Sequence, residues 1–225
     1  MQWLLLATVI AVLAGSASAL FLYSLDWATT TRITHPWLIW LLPFAGFTVG
    51  WLYLRFGRSV EGGNNLILEE VHRPANTIPL RMTPLVYIGT VVSHLFGASV
   101  GREGTAVQMG ASIADQFTSL LKFDNDARRM VLMAGVSAGF SSVFGTPLAG
   151  AIFGLEVMAI GRMHYTAIFP CLLAAVVADQ VGLMWGVHHT HYAMSLIPPL
   201  SLWTLGAVIA AGCCFGLAGR AFADA

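Results

Sequence analysis

The sequence predicts an all-α polytopic membrane protein, and its composition, its charge content and its apolar runs each support that class. Of its 225 residues, 57% are hydrophobic and 10% are charged, and the mean hydropathy is +0.75. A helix needs about 20 apolar residues to cross the ~30 Å hydrocarbon core of a bilayer. Apolar runs recur along the chain near residues 3–23, 37–54, 78–100, 129–160, 166–187 and 200–222. We therefore expect one transmembrane domain over residues 1–225 that crosses the membrane several times.

Composition also narrows the function classes. Lys plus Arg and Asp plus Glu both number 11, so the charge gives no indication of a nucleic-acid partner. Cys171, Cys213 and Cys214 lie in apolar stretches, which argues against a disulfide framework. The sequence contains no nucleotide-binding loop, catalytic triad or metal-ligand set, so we predict neither an enzyme nor a cofactor. The stretch His188–His191 is expected to be a surface loop, because no nearby Cys or carboxylate completes a metal site.

The first apolar run has two interpretations. Leu4–Leu13 is an apolar core, and Ala17-Ser18-Ala19 resembles a signal-peptidase site. A secretory signal carries positive charge before its apolar core, whereas the first basic residue here is Arg32. We therefore favour a retained first membrane helix.

Two segments read as helices that are too short to cross a membrane. Residues 64–71 and 104–121 have the pattern of helices that enter the membrane and stop. Asp124 offers an N-cap to a helix through Met130–Phe140, and Pro147 is well placed to begin the next helix after a break at Gly145. Broken helices at membrane depth are tolerated where protein buries them or where they line a wet cavity. Transporters point the N-termini of such half-helices at anions, so the pattern favours an anion transporter or channel.

Glycine pairs spaced by four residues indicate close helix packing. Small residues let helix backbones approach each other where lipid removes the hydrophobic driving force. Six such pairs occur, at Gly46/Gly50, Gly97/Gly101, Gly135/Gly139, Gly150/Gly154, Gly182/Gly186 and Gly212/Gly216. We expect nearly all of them to be packing positions.

Glu103 stands at the predicted start of a helix, between glycines. The octapeptide Gly101-Arg-Glu-Gly-Thr-Ala-Val-Gln108 has an apolar segment on each side. Free N–H groups and the positive end of the helix dipole form an anion site at such a start. A carboxylate there could serve only to complement the dipole, which is worth about 0.3–1 kcal/mol at an exposed position. In an apolar setting an acidic residue is costly, which favours a functional role.

That octapeptide resembles the gating-glutamate motif of the CLC family of chloride channels and anion/proton antiporters. Phe144–Glu156 is similar to the family's Pro-Leu-Ala-Gly helix, and Gly62–Glu70 occupies the place of its first anion-binding loop. The resemblance implies an inverted-repeat fold with broken, re-entrant helices. It implies that residues 1–225 are the N-terminal repeat plus the first helix of the second, so that the second half is absent. It also implies a homodimer in a multi-pass position in a prokaryotic inner membrane.

The resemblance implies roles for particular residues. Glu103 would be the gate and the proton-transfer group. The anion would be bound by Gly63, Asn64, Asn65, Gly101, Arg102, Gly104 and Thr105. Each asparagine could instead be an ordinary N-cap, and Arg102 could offset the charge of Glu103 or bind a backbone carbonyl. Glu70 matches a buried structural glutamate, and Glu156 is expected to be a buried, hydrogen-bonded acid. Asp115 carries no distinct signal.

Two departures from the pattern of chloride/proton exchangers bear on the transported ion. Asn64 stands where chloride-selective members have a serine, and Val157 stands where chloride/proton exchangers have a second glutamate. The first departure resembles the fluoride/proton antiporter branch, and the second fits either that branch or a CLC channel. Fluoride is small and strongly hydrated, so it needs strong donors to replace its water. We therefore expect fluoride export coupled to proton influx, with fluoride or chloride, protons and membrane lipids as partners.

Two other functions stay open at this point. One is a chloride channel or a chloride/proton antiporter. The other is a nonconducting membrane scaffold whose helices merely pack. Asn64 and Val157 separate fluoride from chloride exchange, and Glu103 separates a transporter from a scaffold.

Overall fold

The computed structural model describes residues 2–156, 165–189 and 198–224. The chain divides into two compact units, Met1–His189 and Thr190–Ala225. Every regular element in the described residues is a helix, which confirms the predicted all-α class. The prediction of one transmembrane domain over residues 1–225 stays a prediction.

Helix α6 (Asn125–Phe144) is the centre of the first unit. Helices on several sides pack against it, and most of its residues are buried. The Asp124 carboxylate accepts a hydrogen bond from the Ala127 N–H group at 2.9 Å, which caps the helix as predicted. The helix ends at Gly145, whose φ of 67° favours glycine. Helix α7 (Pro147–Glu156) begins directly afterwards, so the predicted break and restart are confirmed.

Helices α1 (Gln2–Thr34) and α8 (Ile168–Met184) pack on α6 through small side chains. The contact surface consists of buried alanines, namely Ala7, Ala11, Ala14, Ala134, Ala138, Ala174 and Ala178. Such residues allow the backbones to approach closely, which is how helices associate in lipid. Helix α1 has 33 residues and extends well beyond the apolar run near residues 3–23.

The remaining helices of the first unit are shorter. Helix α2 (Leu42–Leu52) lies between a 3₁₀ turn, Pro36–Leu41, and a π turn, Tyr53–Gly57. Helix α3 (Asn64–His72) has nine residues and α4 (Met82–Leu95) has 14. Helix α5 (Glu103–Leu121) has 19 residues. At 1.5 Å per residue, α3 is about 14 Å long, less than half of the hydrocarbon thickness. Helices at the predicted places 64–71 and 104–121 are confirmed, but only α3 is short, because α5 at about 28 Å approaches the hydrocarbon thickness.

Four helical stretches among the described residues are long and apolar enough to cross a membrane. They are Trp3–Thr34, Pro36–Gly57, Tyr165–Met184 and Leu202–Ala223. The last is helix α9 in the second unit, where the Ser201 hydroxyl accepts a hydrogen bond from the Thr204 N–H group at 3.1 Å. In the first unit, Trp40, Phe44 and Phe47 are exposed along the second stretch. Exposed aromatic side chains in such number suit a helix that faces lipid.

Glycines form the contact between α5 and α6. A Cβ atom added at Gly139 would lie 2.2 Å from the Ala106 carbonyl oxygen, and one at Gly110 would lie 2.1 Å from the Gly135 carbonyl oxygen. The predicted packing role is therefore confirmed for Gly135/Gly139. It is wrong for Gly46/Gly50, because no heavy atom beyond their own helix lies within 4 Å of an added Cβ at either position. Helix α2 lies at the edge of the unit, where nothing in the described residues covers those glycines.

Replacing Gly139 with alanine should therefore separate α5 from α6. The obstructing atom belongs to a backbone carbonyl and cannot rotate away. Overpacking of this kind costs about 1–3 kcal/mol. We expect a clearly lower midpoint of thermal unfolding in detergent for Gly139→Ala. The control is Gly46→Ala, which makes the same change in a helix with open space around it. A Gly139→Ala midpoint equal to that of Gly46→Ala would contradict the packing account.

Candidate anion site at two helix N-termini

The N-termini of α3 and α5 lie against each other. The Gln108 amide nitrogen on α5 is 3.3 Å from the position that a Cβ atom of Gly63 would occupy. The Asn64 amide nitrogen on α3 is 3.2 Å from the position of a Cβ atom of Gly104. Each helix start therefore presents a glycine to a side-chain amide of the other. The positive ends of two helix dipoles point into the same place, which is favourable for an anion.

Backbone donors at this place come mainly from α5. The first backbone hydrogen bond of α5 runs from the Ala106 N–H group to the Arg102 carbonyl at 3.0 Å. The N–H groups of Glu103, Gly104 and Thr105 precede it and have no backbone acceptor among the described residues. At α3, the Asn65 N–H group is already bound to the Gly62 carbonyl at 3.0 Å. The donors of α3 are therefore the Asn64 backbone and its side-chain amide.

Glu103 is the first residue of α5, and its carboxylate folds back along the chain. One carboxylate oxygen is 2.9 Å from the position of an added Cβ at Gly101, so a side chain there would displace it. Glu103 is exposed and makes no hydrogen bond or ion pair with the described residues. The carboxylate thus lies at the open N-terminus of its own helix without being held there.

Asn64 is held by a residue that the sequence analysis did not select. The Gln108 amide nitrogen donates a hydrogen bond to the Asn64 side-chain oxygen at 3.1 Å. This bond leaves the Asn64 amide nitrogen as the group that faces the first turn of α5. The N-cap interpretation of Asn64 and Asn65 is wrong. Gly63 is the N-cap residue, and its φ of 54° is one that favours glycine.

The side chains of Thr105 and Arg102 differ in their contacts. The Thr105 hydroxyl is buried and shares a hydrogen bond of 2.6 Å with the Thr90 hydroxyl on α4. Thr105 can therefore offer an anion its backbone N–H group. Arg102 is exposed and makes no side-chain hydrogen bond or ion pair within the described residues. The alternative that Arg102 binds a backbone carbonyl is therefore wrong, whereas the alternative that it offsets the charge of Glu103 stays a prediction.

Behind the two N-termini, Arg128 of α6 joins α3 to α5. Its guanidinium makes two hydrogen bonds of 2.8 Å to the carboxylate of Asp115 on α5. It makes a third, of 3.0 Å, to the carboxylate of Glu70 on α3. Asp115, Glu70 and Arg128 are 0%, 4% and 8% exposed, so these charges are paired away from solvent. The prediction of a buried structural glutamate at Glu70 is confirmed.

The same cluster fixes the loop between α3 and α4. Glu70 accepts hydrogen bonds from the backbone N–H groups of Ala75 and Asn76 at 2.9 and 3.0 Å. Asp115 accepts one from the Ile78 N–H group at 2.7 Å. Arg128 also donates to the Asn76 carbonyl at 2.6 Å. Every polar side-chain atom of Glu70, Asp115 and Arg128 therefore has a hydrogen-bond partner, as buried charges require.

Arg129, the next residue of α6, binds the end of α3. Its guanidinium donates to the Val71 carbonyl at 2.8 Å and to the His72 carbonyl at 3.0 Å. These carbonyls belong to the last turn of a helix, where a cation stabilises the dipole. Together, Arg128 and Arg129 hold α3 by its C-terminal end, so its N-terminus keeps a fixed position beside α5.

The remaining residues named in the sequence analysis are Glu156, Val157 and the His188–His191 stretch. Glu156, in α7, is exposed and makes no hydrogen bond or ion pair with the described residues, so the prediction of a buried, hydrogen-bonded acid is wrong. Val157 lies outside the described residues, as do two residues of the His188–His191 stretch. Within residues 2–156, 165–189 and 198–224, no group of three or more His, Cys, Asp or Glu side chains could hold a metal ion.

The geometry is that of an all-α chain with helices long and apolar enough to cross a membrane, in which two helix N-termini meet beside the exposed Glu103 carboxylate. The family model described as voltage-gated chloride channel matches residues 45–225. The chain therefore belongs to the voltage-gated chloride channel, or CLC, family.

Two relatives and two solved structures are similar to the chain over almost its whole length. It is 64% identical to the "Chloride/fluoride channel protein" of Pseudomonas syringae pv. tomato, over 100% of the chain and 50% of the relative. It is 30% identical to the "H(+)/Cl(-) exchange transporter ClcA" of Cronobacter sakazakii, over 97% of the chain and 50% of the relative. The chain thus spans about half the length of these curated relatives.

The structural comparison agrees with the sequence comparison. A crystal structure of a CLC-type fluoride/proton antiporter has a TM-score of 0.91 and 34% identity, over 99% of the chain and 56% of that protein. A slow cyanobacterial Cl⁻/H⁺ antiporter has a TM-score of 0.81 and 25% identity, with the same coverage. The predicted family and its helical fold are confirmed.

The Arg128 cluster predicts a large difference between two Asp→Asn substitutions. Asp115→Asn should lower the free energy of unfolding by about 3 kcal/mol, because it leaves Arg128 buried beside a neutral group that also carries donors. Asp126 pairs with Arg129 at 3.3 Å, but its side chain is 85% exposed. Asp126→Asn should cost less than about 1 kcal/mol. Unfolding titrations in mixed detergent micelles would measure both, and equal losses would refute a special role of Asp115.

Proposed function

We propose that the protein exports fluoride in exchange for protons, with Glu103 as the gate and the proton-transfer group. The observation that carries this proposal is the meeting of the α3 and α5 N-termini beside the Glu103 carboxylate. The donors there are the backbone N–H groups of Glu103, Gly104 and Thr105 and the Asn64 amide. A cluster of donors that have no backbone acceptor among the described residues is suited to binding an anion rather than to packing.

Coupling follows from competition between two negative charges. The charged carboxylate of Glu103 is attracted to the N-terminus of its own helix, which is where a halide would bind. Two anions cannot share that place cheaply at a low effective dielectric. Halide binding therefore favours a Glu103 side chain that moves away and takes up a proton. Since Glu103 has no hydrogen-bond partner among the described residues, little holds it against this movement.

Fluoride rather than chloride is supported by Asn64 and by the relatives. An amide N–H group is a strong donor that carries no negative charge, and a small, strongly hydrated anion needs such donors to replace water. The relative that is 64% identical has fluoride and chloride in its name, and the structure with a TM-score of 0.91 is a fluoride/proton antiporter. We further propose that the protein acts as a homodimer in a bacterial inner membrane.

Chloride transport is the second candidate. It is favoured by the 30% identity to a chloride/proton exchange transporter and by the chloride in the name of the first relative. A nonconducting scaffold is the candidate of another class. Measurements of halide and proton movement, given below, separate these three functions.

In liposomes, the protein expressed from its complete natural gene should release fluoride faster than chloride. Ion-selective electrodes measure both effluxes after the liposomes are made permeable to potassium, so that potassium can leave with the halide and balance its charge. Asn64→Ser should shift the fluoride-to-chloride ratio toward chloride by about 10-fold, the value of one hydrogen bond to a charged group. Equal or faster chloride efflux from the parent would favour the second candidate. No efflux of either halide would favour a scaffold.

Glu103→Gln should abolish proton movement that is driven by a halide gradient. The substitution removes the titration while it keeps the size and hydrogen-bonding capacity of the side chain. Proton uptake is followed with a pH electrode in liposomes under a fluoride gradient. Glu69→Gln is the matched control, because Glu69 is also exposed but lies on α3, in its second turn. Undiminished proton uptake by Glu103→Gln would show that Glu103 is only a helix-terminal charge.

A further inference from the structure

We infer that Gln108 is a positioning residue that determines halide selectivity by fixing the orientation of the Asn64 amide. This inference rests on the proposed transport function and adds a residue to it. The Gln108 amide nitrogen donates to the Asn64 side-chain oxygen at 3.1 Å across the gap between α5 and α3. The contact joins two residues 44 positions apart in the chain, at the two helix starts that form the candidate site.

A carboxamide has a donor end and an acceptor end, and the two attract opposite charges. Because Gln108 takes the oxygen of Asn64, the nitrogen of Asn64 faces Gly104 in the first turn of α5. An anion in that turn then meets N–H groups. If the amide were reversed, the anion would meet the negative end of the carbonyl dipole. The orientation of this one group therefore decides whether Asn64 attracts or repels a halide.

Gly63 and Gly104 leave room for the amide pair. The Gln108 nitrogen is 3.3 Å from the position of an added Cβ at Gly63, and the Asn64 nitrogen is 3.2 Å from the one at Gly104. Gln108 is four residues after Gly104, so the two lie on the same face of α5. The pair thus lies between two helix starts, where a Cβ atom at position 63 or 104 would crowd the amide groups.

The inference is tested by removing the Gln108 amide while its length is kept. Gln108→Met should lower the fluoride-to-chloride efflux ratio by about 10-fold, the value of one oriented hydrogen bond to an ion. Gln180→Met is the matched control, because Gln180 is exposed on α8 and its one side-chain hydrogen bond within the described residues, of 3.4 Å, goes to the adjacent Asp179. The control should keep the ratio of the parent.

A second background separates positioning from general destabilisation. If Gln108 acts through Asn64, Gln108→Met should have no further effect on the ratio in protein that already carries Asn64→Ser. Residues that work as one unit show this non-additivity, whereas independent losses add. An effect of the same size in both backgrounds would overturn the inference.

A nearly isosteric variant covers the case in which Gln108→Met does not fold. A carboxylate at position 108 can only accept hydrogen bonds. In Gln108→Glu the Asn64 amide should therefore turn its nitrogen toward that carboxylate and its oxygen toward the anion site. The ratio should then fall by at least as much as in Gln108→Met. If the parent protein prefers fluoride and both variants keep its fluoride-to-chloride ratio, the role of Gln108 is refuted while the proposed function stands. A parent without fluoride preference would instead refute the proposed function, and this inference with it.

Discussion

The ion pairs of Arg128 hold together the part of the molecule that positions the candidate site. One guanidinium on α6 binds Asp115 of α5 and Glu70 of α3, and the whole cluster is buried. Removing one partner of such a cluster leaves an uncompensated charge, which costs about 3–5 kcal/mol. A half-helix such as α3 cannot be positioned by spanning the membrane, because it is too short. It is positioned instead by its C-terminal end, where Arg128 and Arg129 bind.

This arrangement separates a fixed side from an open side. The C-terminal end of α3 and the middle of α5 are held by charge-assisted hydrogen bonds, whereas the N-termini of both helices keep donors without backbone acceptors. Glu103 lies on the open side and has no hydrogen-bond partner among the described residues. Rigid donors suit electrostatic binding of an ion, and a side chain without partners suits a gate. We regard this contrast between held helices and an unheld carboxylate as the physical basis of the proposed exchange.

Sequence reasoning predicted the features that depend on local patterns. The Asp124 cap, the helix start at Pro147 and the short helices after Gly63 and Arg102 all follow from turn chemistry and apolar runs. Pairings across the fold could not be predicted in this way. Asp115 looked unremarkable because its partners Arg128 and Ile78 lie on α6 and in the loop before α4, and Gln108 was not selected because its partner is 44 residues away. One signal was available: charged residues in apolar segments are expected to pair, which points to Asp115 and Arg128.

Two interpretations of single residues fail. The alternative of Asn64 as an N-cap fails because Gly63 takes that position, where its backbone adopts a positive φ. The expectation that Glu156 is buried fails because its side chain is exposed. For Asn64, the residue type gave the chemical capacity of the side chain, whereas the position of the helix start decided its use.

The central claim is that Glu103 and a transported halide compete for one place at the N-terminus of α5. Fluoride binding to purified protein, measured by isothermal titration calorimetry over an acidic-to-neutral pH series, tests it most directly. The account predicts that fluoride affinity rises as the pH falls, because protonation removes the competing charge, and that Glu103→Gln binds fluoride tightly at every pH. A fluoride affinity that does not change with pH in the parent, or that changes equally in Glu103→Gln, would contradict it.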